Sequence, residues 1–274
     1  MKKILWMFIF ILVTRFSEAE LKEWRLQSLV QEKTGDKVHV SSEVRYRLEA
    51  RDNFDFDDTK DDKDIFHLFR TRLNIQVEPV SIVRGFVQFQ DARIASSDFA
   101  NDAPFEDPVD LRQGYVELYD AEKKGPGIRV GRQELIYGAE RLVGAFNWSN
   151  VTQSFDAAKL FYDHEIFRVD AFAARKVKID PSTTLNQWDD EDNLVGFYAT
   201  SRAIQEHTLD LYYFFRDTDQ PIAFGPLVGS SELSESTVGA RFAGKKSLGL
   251  DYQIESAYQF GDFGQLDISA WMFI

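Results

Sequence analysis

The segment Val38–Ala50 alternates regularly between apolar and polar side chains. Val44 and Tyr46 fall on one parity, whereas Arg45 and Arg47 fall on the other. Successive side chains of a strand point to opposite faces, so the segment predicts a strand with one apolar and one charged face. A run this long exceeds the usual globular strand and suits a tilted strand that crosses a bilayer.

The same period-two pattern recurs down the chain and predicts about twelve strands. The predicted runs are Val38–Ala50, Ile65–Val77, Ile82–Asp91, Leu111–Asp120, Ile128–Leu135, Phe155–Tyr162, Ile166–Val177, Leu194–Ser201, Thr208–Arg216, Thr237–Gly244, Leu248–Phe260 and Leu266–Ile274. The pattern indicates an all-β fold, a transmembrane antiparallel up-and-down β-barrel of the bacterial outer membrane.

The lengths of the connections support this interpretation because long and short ones alternate. The long connections are Arg51–Asp64, Ala92–Asp110, Ile136–Ser154, Lys178–Asn193 and Asp217–Ser236. The short ones are Glu78–Ser81, Ala121–Gly127, Asp163–Glu165, Arg202–His207 and Lys245–Ser247. Outer-membrane barrels have short periplasmic turns and longer outside loops, and only Gly261–Gln265 is short for its side.

The two ends of the chain carry further expectations. Residues 1–19 read as a secretory signal peptide, with Lys2 and Lys3 before an apolar run and cleavage after Ala19; a non-cleaved anchor is the alternative. Residues 20–37 are expected to form a periplasmic segment, either a short amphipathic helix or a loose tail, and residues 38–274 the barrel. Because Ile274 lies inside an alternating run, we expect the barrel to be incomplete at its C-terminus, although twelve strands could close by themselves.

Composition narrows the function classes. The net charge of −13 argues against a nucleic-acid partner, and an exported chain without cysteine has no disulfides to stabilise it. Aromatic residues make up 14 % of the chain, which suits the aromatic girdles of a membrane barrel.

Assigning the apolar parity to lipid places the other parity in the lumen. The first strands then direct five arginines inward: Arg45, Arg47, Arg70, Arg72 and Arg84. Each would cost about 2–4 kcal/mol on the lipid face at mid-membrane, which fixes the sidedness. Clustered guanidinium groups attract carboxylates and phosphates.

An alternative role for these arginines is to brace the wall by pairing with lumen acids. The candidate acids are Glu43, Glu49, Glu117, Glu134 and Asp156. The later strands are expected to be acidic inside, at Asp170, Asp210, Asp251, Glu255 and Asp267. The lumen is therefore predicted to be basic on one arc and acidic on another.

Other chemistry finds little support. Seven aspartates crowd residues 52–64, but the loop lacks the glycine and glutamate of an EF-hand, so a solvated or lipopolysaccharide-associated loop is the better interpretation. His39, His67, His164 and His207 are not spaced as metal ligands, and no serine–histidine pair suggests a nucleophile. We predict neither a catalytic site, a metal site nor a cofactor.

One long motif resembles the alginate export family of outer-membrane porins. It begins at Gly131-Arg132-Gln133-Glu134-Leu135 and continues through Arg141–Gly144, Trp148–Val151 and Phe155-Asp156. Shorter similar stretches are Val44–Arg47 with Asn53-Phe54, Phe69–Leu73, Gln88–Ala92 and Asp110–Leu118. The resemblance is strong from about Val38 to Leu160 and rests on strand pattern beyond that.

The resemblance implies a monomeric barrel of about eighteen strands, of which this chain would be a part. It also implies an arginine-lined constriction through which an anionic polyuronate diffuses passively. At the matching positions the candidates are Arg47, Arg72, Arg132 and Arg141, with Glu134 and Asp156 as supporting acids.

The expected function is therefore a passive outer-membrane channel for an anionic polysaccharide or oligosaccharide. The alternatives are a general or weakly selective porin and, from another class, a structural or adhesive surface barrel with a blocked lumen. The expected partners are the saccharide cargo, outer-membrane lipid and lipopolysaccharide, and periplasmic export components, with no nucleic acid.

Overall fold

A computed structural model describes residues 30–52, 63–96, 105–120, 122, 124–183, 185–223, 229–246 and 249–274. Twelve strands pair antiparallel in one sheet, in chain order. They are β1 (Val38–Arg51), β2 (Asp64–Val80), β3 (Val83–Ala95), β4 (Asp107–Tyr119), β5 (Gly125–Gln133), β6 (Phe155–Asp163), β7 (Phe167–Lys178), β8 (Gln187–Ser201), β9 (His207–Thr218), β12 (Leu233–Lys246), β13 (Leu250–Phe263) and β14 (Leu266–Phe273). Each contains most of a predicted run, and the all-β up-and-down fold is confirmed.

The remaining elements are short. β10 (Ile222–Ala223) and β11 (Ser230–Ser231) pair with each other in the connection between β9 and β12, and a 3₁₀ helix (Gly35–Lys37) precedes β1. Within the described residues, β1 and β14 each pair with one neighbour, so the sheet is open between them. No helix in this part of the chain has the length and apolar character to cross a bilayer.

The two faces of the sheet differ as the alternation predicts. Val44, Tyr46 and Leu48 of β1 are each more than half exposed. Arg70 and Arg72 of β2, which pair in register with residues of the other β1 face, are buried. Along β1 and β2, apolar side chains therefore cover the outer face and polar side chains the opposite face, which is the arrangement that a lipid-embedded sheet requires. We call the second face concave because a single connection contacts both β1 and β13 across it.

A β-bulge in β4 changes what this strand presents to the concave face. The register against β3 shifts between Gln88 and Phe89, so Gln113 and Leu111 become the partners of successive β3 residues. Both Arg112 and Gln113 consequently donate to Gln88 Oε1, although they are adjacent in sequence.

The last strand corrects one expectation. Met272 pairs with Ala257 on the concave face and packs against its apolar cluster, whereas Trp271 pairs with Tyr258 and is exposed outside. The prediction that placed Asp267 in the lumen and its apolar neighbours toward lipid is therefore wrong. Both parities of β14 carry apolar side chains, so alternation alone could not choose the face.

Several expectations fall outside the described residues: the signal peptide, most of the segment 20–37, and the aspartates of residues 53–62. In the part that the structure describes, no three His, Asp or Glu side chains are grouped as a metal site would require.

Candidate functional site

Residues 134–154 connect β5 to β6 and lie against the concave face; we call them the inward loop. The guanidinium group of Arg45 in β1 donates to the backbone oxygens of Asn147 and Ser149, each at 2.8 Å. Arg70 in β2 donates to the same two oxygens, at 3.1 and 3.2 Å. Two neighbouring strands therefore hold one turn of the loop by four charge-assisted hydrogen bonds.

Arg47 holds the residue between these two. Its guanidinium group donates to the Trp148 backbone oxygen and lies 4.6 Å from the centroid of the Trp148 ring. Glu49 pairs with the same arginine at 2.6 Å. The cation over the indole face adds attraction. The planar guanidinium group can stack on the ring, which the ammonium group of a lysine cannot do.

Below the turn, two deeply buried arginines bind the side chains of the loop. Arg72 donates to Thr152 Oγ1 at 3.0 Å and to Gln90 Oε1 at 2.8 Å. Arg112 is 2 % exposed and pairs with Glu134 while also donating to Thr152. Burial makes these contacts expensive to break, because a charge left without its partner stays in a poorly hydrated site.

Asn150 fixes the same turn to the backbone of the sheet. Its side-chain amide donates to the backbone oxygens of Phe69, Arg93 and Phe105, at 3.3, 3.2 and 2.8 Å. Asn150 is 1 % exposed, so this part of the turn is buried against the sheet.

Five arginines surround this end of the loop and form what we call the arginine cluster: Arg45, Arg47, Arg70, Arg72 and Arg112. Three carboxylates contact it: Glu43, Glu49 and Glu134. Five positive charges against three negative ones leave an excess of two positive charges here. Among the described residues, this arc of the concave face therefore carries net positive charge.

The other end of the inward loop is seated on aromatic rings. The Tyr137 ring lies 4.7 Å from that of Tyr198 and 5.3 Å from that of Phe172, measured between centroids. Its hydroxyl donates to Asp170 at 3.1 Å. Leu135 and Val143 of the loop are buried in the same cluster.

The acids of the later strands are paired with bases. Arg141 of the inward loop pairs with Glu255 in β13, and Arg241 donates to Asp210 at 2.6 Å. Lys159 lies 3.7 Å from Asp170. Asp170, Asp210 and Glu255 face the concave side as predicted, but each has a basic partner, so the arc is close to neutral.

A third cluster lies toward the short-turn end of β3, β4 and β5. Arg84 donates to Glu78 at 2.8 Å and to Glu117 at 3.2 Å. Arg129 donates to Glu117 at 2.5 Å and lies 4.3 Å from the centroid of the Tyr115 ring. Glu117 therefore braces two arginines, as the bracing alternative for Arg84 anticipates.

Arg132 does not join the other predicted arginines. Along β5 it shares the parity of Val130, which is half exposed on the outer face, while Arg129 faces inward. It forms a two-point pair with Asp156, at 3.0 and 2.9 Å. The expected pairing is present, but the strict alternation of β5 places it on the outer side of the sheet.

Four predicted arginines are thus brought together, Arg45, Arg47, Arg70 and Arg72, and three lie elsewhere, Arg84, Arg132 and Arg141. Sequence reasoning missed Arg112, because the bulge in β4 interrupts the alternation that would have assigned its face. It also missed the carbonyl oxygens of Asn147, Trp148 and Ser149 as partners, since their orientation has no side-chain signature.

Comparisons with known proteins identify the family of this chain. The model of the family described as "Alginate export" matches residues 36–274. One similar solved structure is that of Pseudomonas aeruginosa OccK8 (OprE), with a TM-score of 0.41 and 11 % identity, covering 85 % of this chain and 70 % of that one. No curated protein matches the chain. The chain belongs to the alginate export family of the bacterial outer membrane.

Proposed function

We propose that this protein is a channel through which anionic saccharides diffuse passively across the outer membrane. The inward loop would narrow the passage on the concave side of the sheet, and the arginine cluster would supply a local positive potential. The cargo would be a polyuronate or a shorter acidic oligosaccharide, whose carboxylates match guanidinium groups.

The observation that carries the proposal is the position of the inward loop between two arcs of different charge. One end is held by the arginine cluster, where Arg45 and Arg47 keep part of their side chains accessible. The other end is held by Tyr137 and Arg141 against paired acids. A polyanion that passes the loop would meet net positive charge on one side only.

The pairing of the arginines also explains why passage could be rapid. Glu43 and Glu49 offset part of the positive charge, so the site attracts an anion without holding it tightly. A channel needs binding that favours entry yet permits exit. As the family resemblance implies, the protein would act as a monomer, and transport through it would need no energy source.

A weakly selective porin is the second candidate. It is favoured by Arg84, Arg141 and Arg241, each of which is neutralised by an acid. In that case small solutes of either sign would pass, and the arginines would serve mainly to position the loop.

Conductance in planar bilayers separates these candidates. We expect oligomannuronate to block the ion current at concentrations at which a neutral dextrin of equal length has no effect. The Arg47→Gln variant should weaken the block, whereas Arg93→Gln on the outer face serves as the matched control. Equal block by the charged and the neutral sugar would favour the weakly selective porin.

A further inference from the structure

A groove of about 710 Å³ lies on the outer face of the sheet, near the ends of β5–β8 that carry the long loops. It is separate from the concave face, because its floor consists of side chains with the parity of exposed Val130 and Val195. Its volume is within the range of small-molecule sites in proteins.

A row of polar side chains crosses four strands at the upper margin of this groove. Arg132 pairs in register with Asp156, Asp156 with Arg175, and Arg175 with Asn193. Trp188 lies beside the row and donates its indole N–H to Asp190. Charged groups and a half-exposed tryptophan mark the level of lipid head groups on a membrane barrel.

A row of small apolar side chains forms the floor, one step closer to the membrane centre. Val130 pairs in register with Ala158, Ala158 with Ala173, and Ala173 with Val195. The two central alanines leave a depression between the flanking valines. Below them the face continues as exposed Leu160 and Phe197, so the groove opens into the lipid-facing band.

The upper wall of the groove is a well-anchored connection between β7 and β8, of which the structure describes residues 179–183 and 185–186. The Asn186 backbone N–H donates to Asp110 at 2.9 Å, and its side-chain amide donates to both carboxylate oxygens of Asp107 at 3.0 Å. Asn186 is 3 % exposed. Hydrogen bonds from Ser182 lower the pKa of the Asp180 carboxyl in the same connection.

We propose that this groove binds one acyl chain of a phosphorylated glycolipid of the outer leaflet. The chain lies on Ala158 and Ala173 and beside Leu185, and the phosphate of the head group meets the Arg175 guanidinium. Continuity with the lipid-facing band and the position of the arginine at its upper margin select this occupant.

Arg175 is suited to receive a phosphate. It is 43 % exposed and makes single hydrogen bonds to Asn193 and Asp190. Asp190 is 76 % exposed and shared with Trp188, so it competes weakly for the guanidinium. Arg132, by contrast, is already committed to Asp156 by two hydrogen bonds.

Native mass spectrometry of the full chain in detergent micelles tests the proposal. The chain is titrated with diphosphoryl lipid A, a phosphorylated and multiply acylated disaccharide, and in parallel with phosphatidylglycerol. We expect one retained lipid A. Ala173→Phe, which fills the floor, should reduce the affinity for lipid A about tenfold or more, and Arg175→Gln should do the same.

Matched controls separate site effects from folding. Ala240→Phe places the same bulk on the outer face of β12, and Arg93→Gln removes an exposed outer-face arginine; both should retain lipid A as the unaltered chain does. Circular dichroism reports whether each variant keeps its sheet. Equal retention by Ala173→Phe and Ala240→Phe, or phosphatidylglycerol bound as tightly as lipid A, would overturn the proposal.

Discussion

The guanidinium group of Arg47 stacks over the indole ring of Trp148, 4.6 Å from its centroid, and joins the first strand to the middle of the inward loop. The neighbouring Arg45 and Arg70 hold the backbone oxygens on either side of that tryptophan. Side chains from β1 and β2 therefore determine where a loop that follows β5 can lie. The arginines have a positioning role whatever they do to cargo.

Removal of the hydrogen bonds from Arg45 and Arg70 should free the inward loop. In the Arg45→Gln/Arg70→Gln double variant, four charge-assisted hydrogen bonds to Asn147 and Ser149 are lost or weakened. We expect cleavage within residues 134–154 by added protease to become at least about tenfold faster, since cleavage follows the population of the open state. Arg84→Gln, which breaks a pair remote from the loop, is the control. Equal cleavage rates in both variants would show that these hydrogen bonds do not hold the loop in place.

The buried pair of Arg112 and Glu134 should show strong coupling. Arg112→Met leaves Glu134 without its cation in a largely buried site, and we expect the free energy of unfolding to fall by about 3–5 kcal/mol. Adding Glu134→Gln to this variant should restore part of the loss. Urea unfolding in micelles gives the four corners of the cycle. Additive single effects would mean that the two side chains do not interact.

Tyr137 should contribute mainly through its ring. Tyr137→Phe removes one hydrogen bond to Asp170 and should cost about 1 kcal/mol of unfolding free energy. Tyr137→Ala removes the stacking against Phe172 and Tyr198 and should cost about 3–5 kcal/mol. Thermal unfolding of the two variants compares them directly. A larger loss in the phenylalanine variant would contradict this assignment.

Gly131 should not tolerate a side chain. Its φ is +122°, and an added Cβ would lie 2.3 Å from the Gly114 backbone oxygen. We expect Gly131→Ala to lower the free energy of unfolding by at least about 1–3 kcal/mol. Gly85→Ala is the control, because its nearest neighbour would be 3.9 Å away. Similar stability of the two variants would show that β4 and β5 adjust their spacing.

The strands were predictable because one face of each strand is expected to contact lipid and the other face is not. β1 and β2 expose apolar side chains outward and keep arginines inside, and this requirement is written into the period-two alternation. Alternation fails where the backbone departs from a regular strand, as at the bulge that turns Arg112 inward. It also fails where both faces of a strand are apolar, as in β14.

The position of the inward loop was not predictable from residue types. Its contacts to Arg45 and Arg70 use backbone oxygens, which every residue has. The arginines themselves were predicted to face inward, but nothing in their spacing shows whether they bind cargo, acids or a loop. For Arg132 the opposite holds. The sequence identified its partner, Asp156, but not the face of the sheet on which the pair lies.

The ion preference of the open channel tests the central claim, that the concave face carries a net positive site beside the inward loop. The zero-current potential of single channels across a tenfold salt gradient measures it. We predict a potential whose sign indicates anion preference, reduced in Arg47→Gln and unchanged in the outer-face control Arg93→Gln. Cation preference in the unaltered protein, or an equal effect of the two substitutions, would contradict the account.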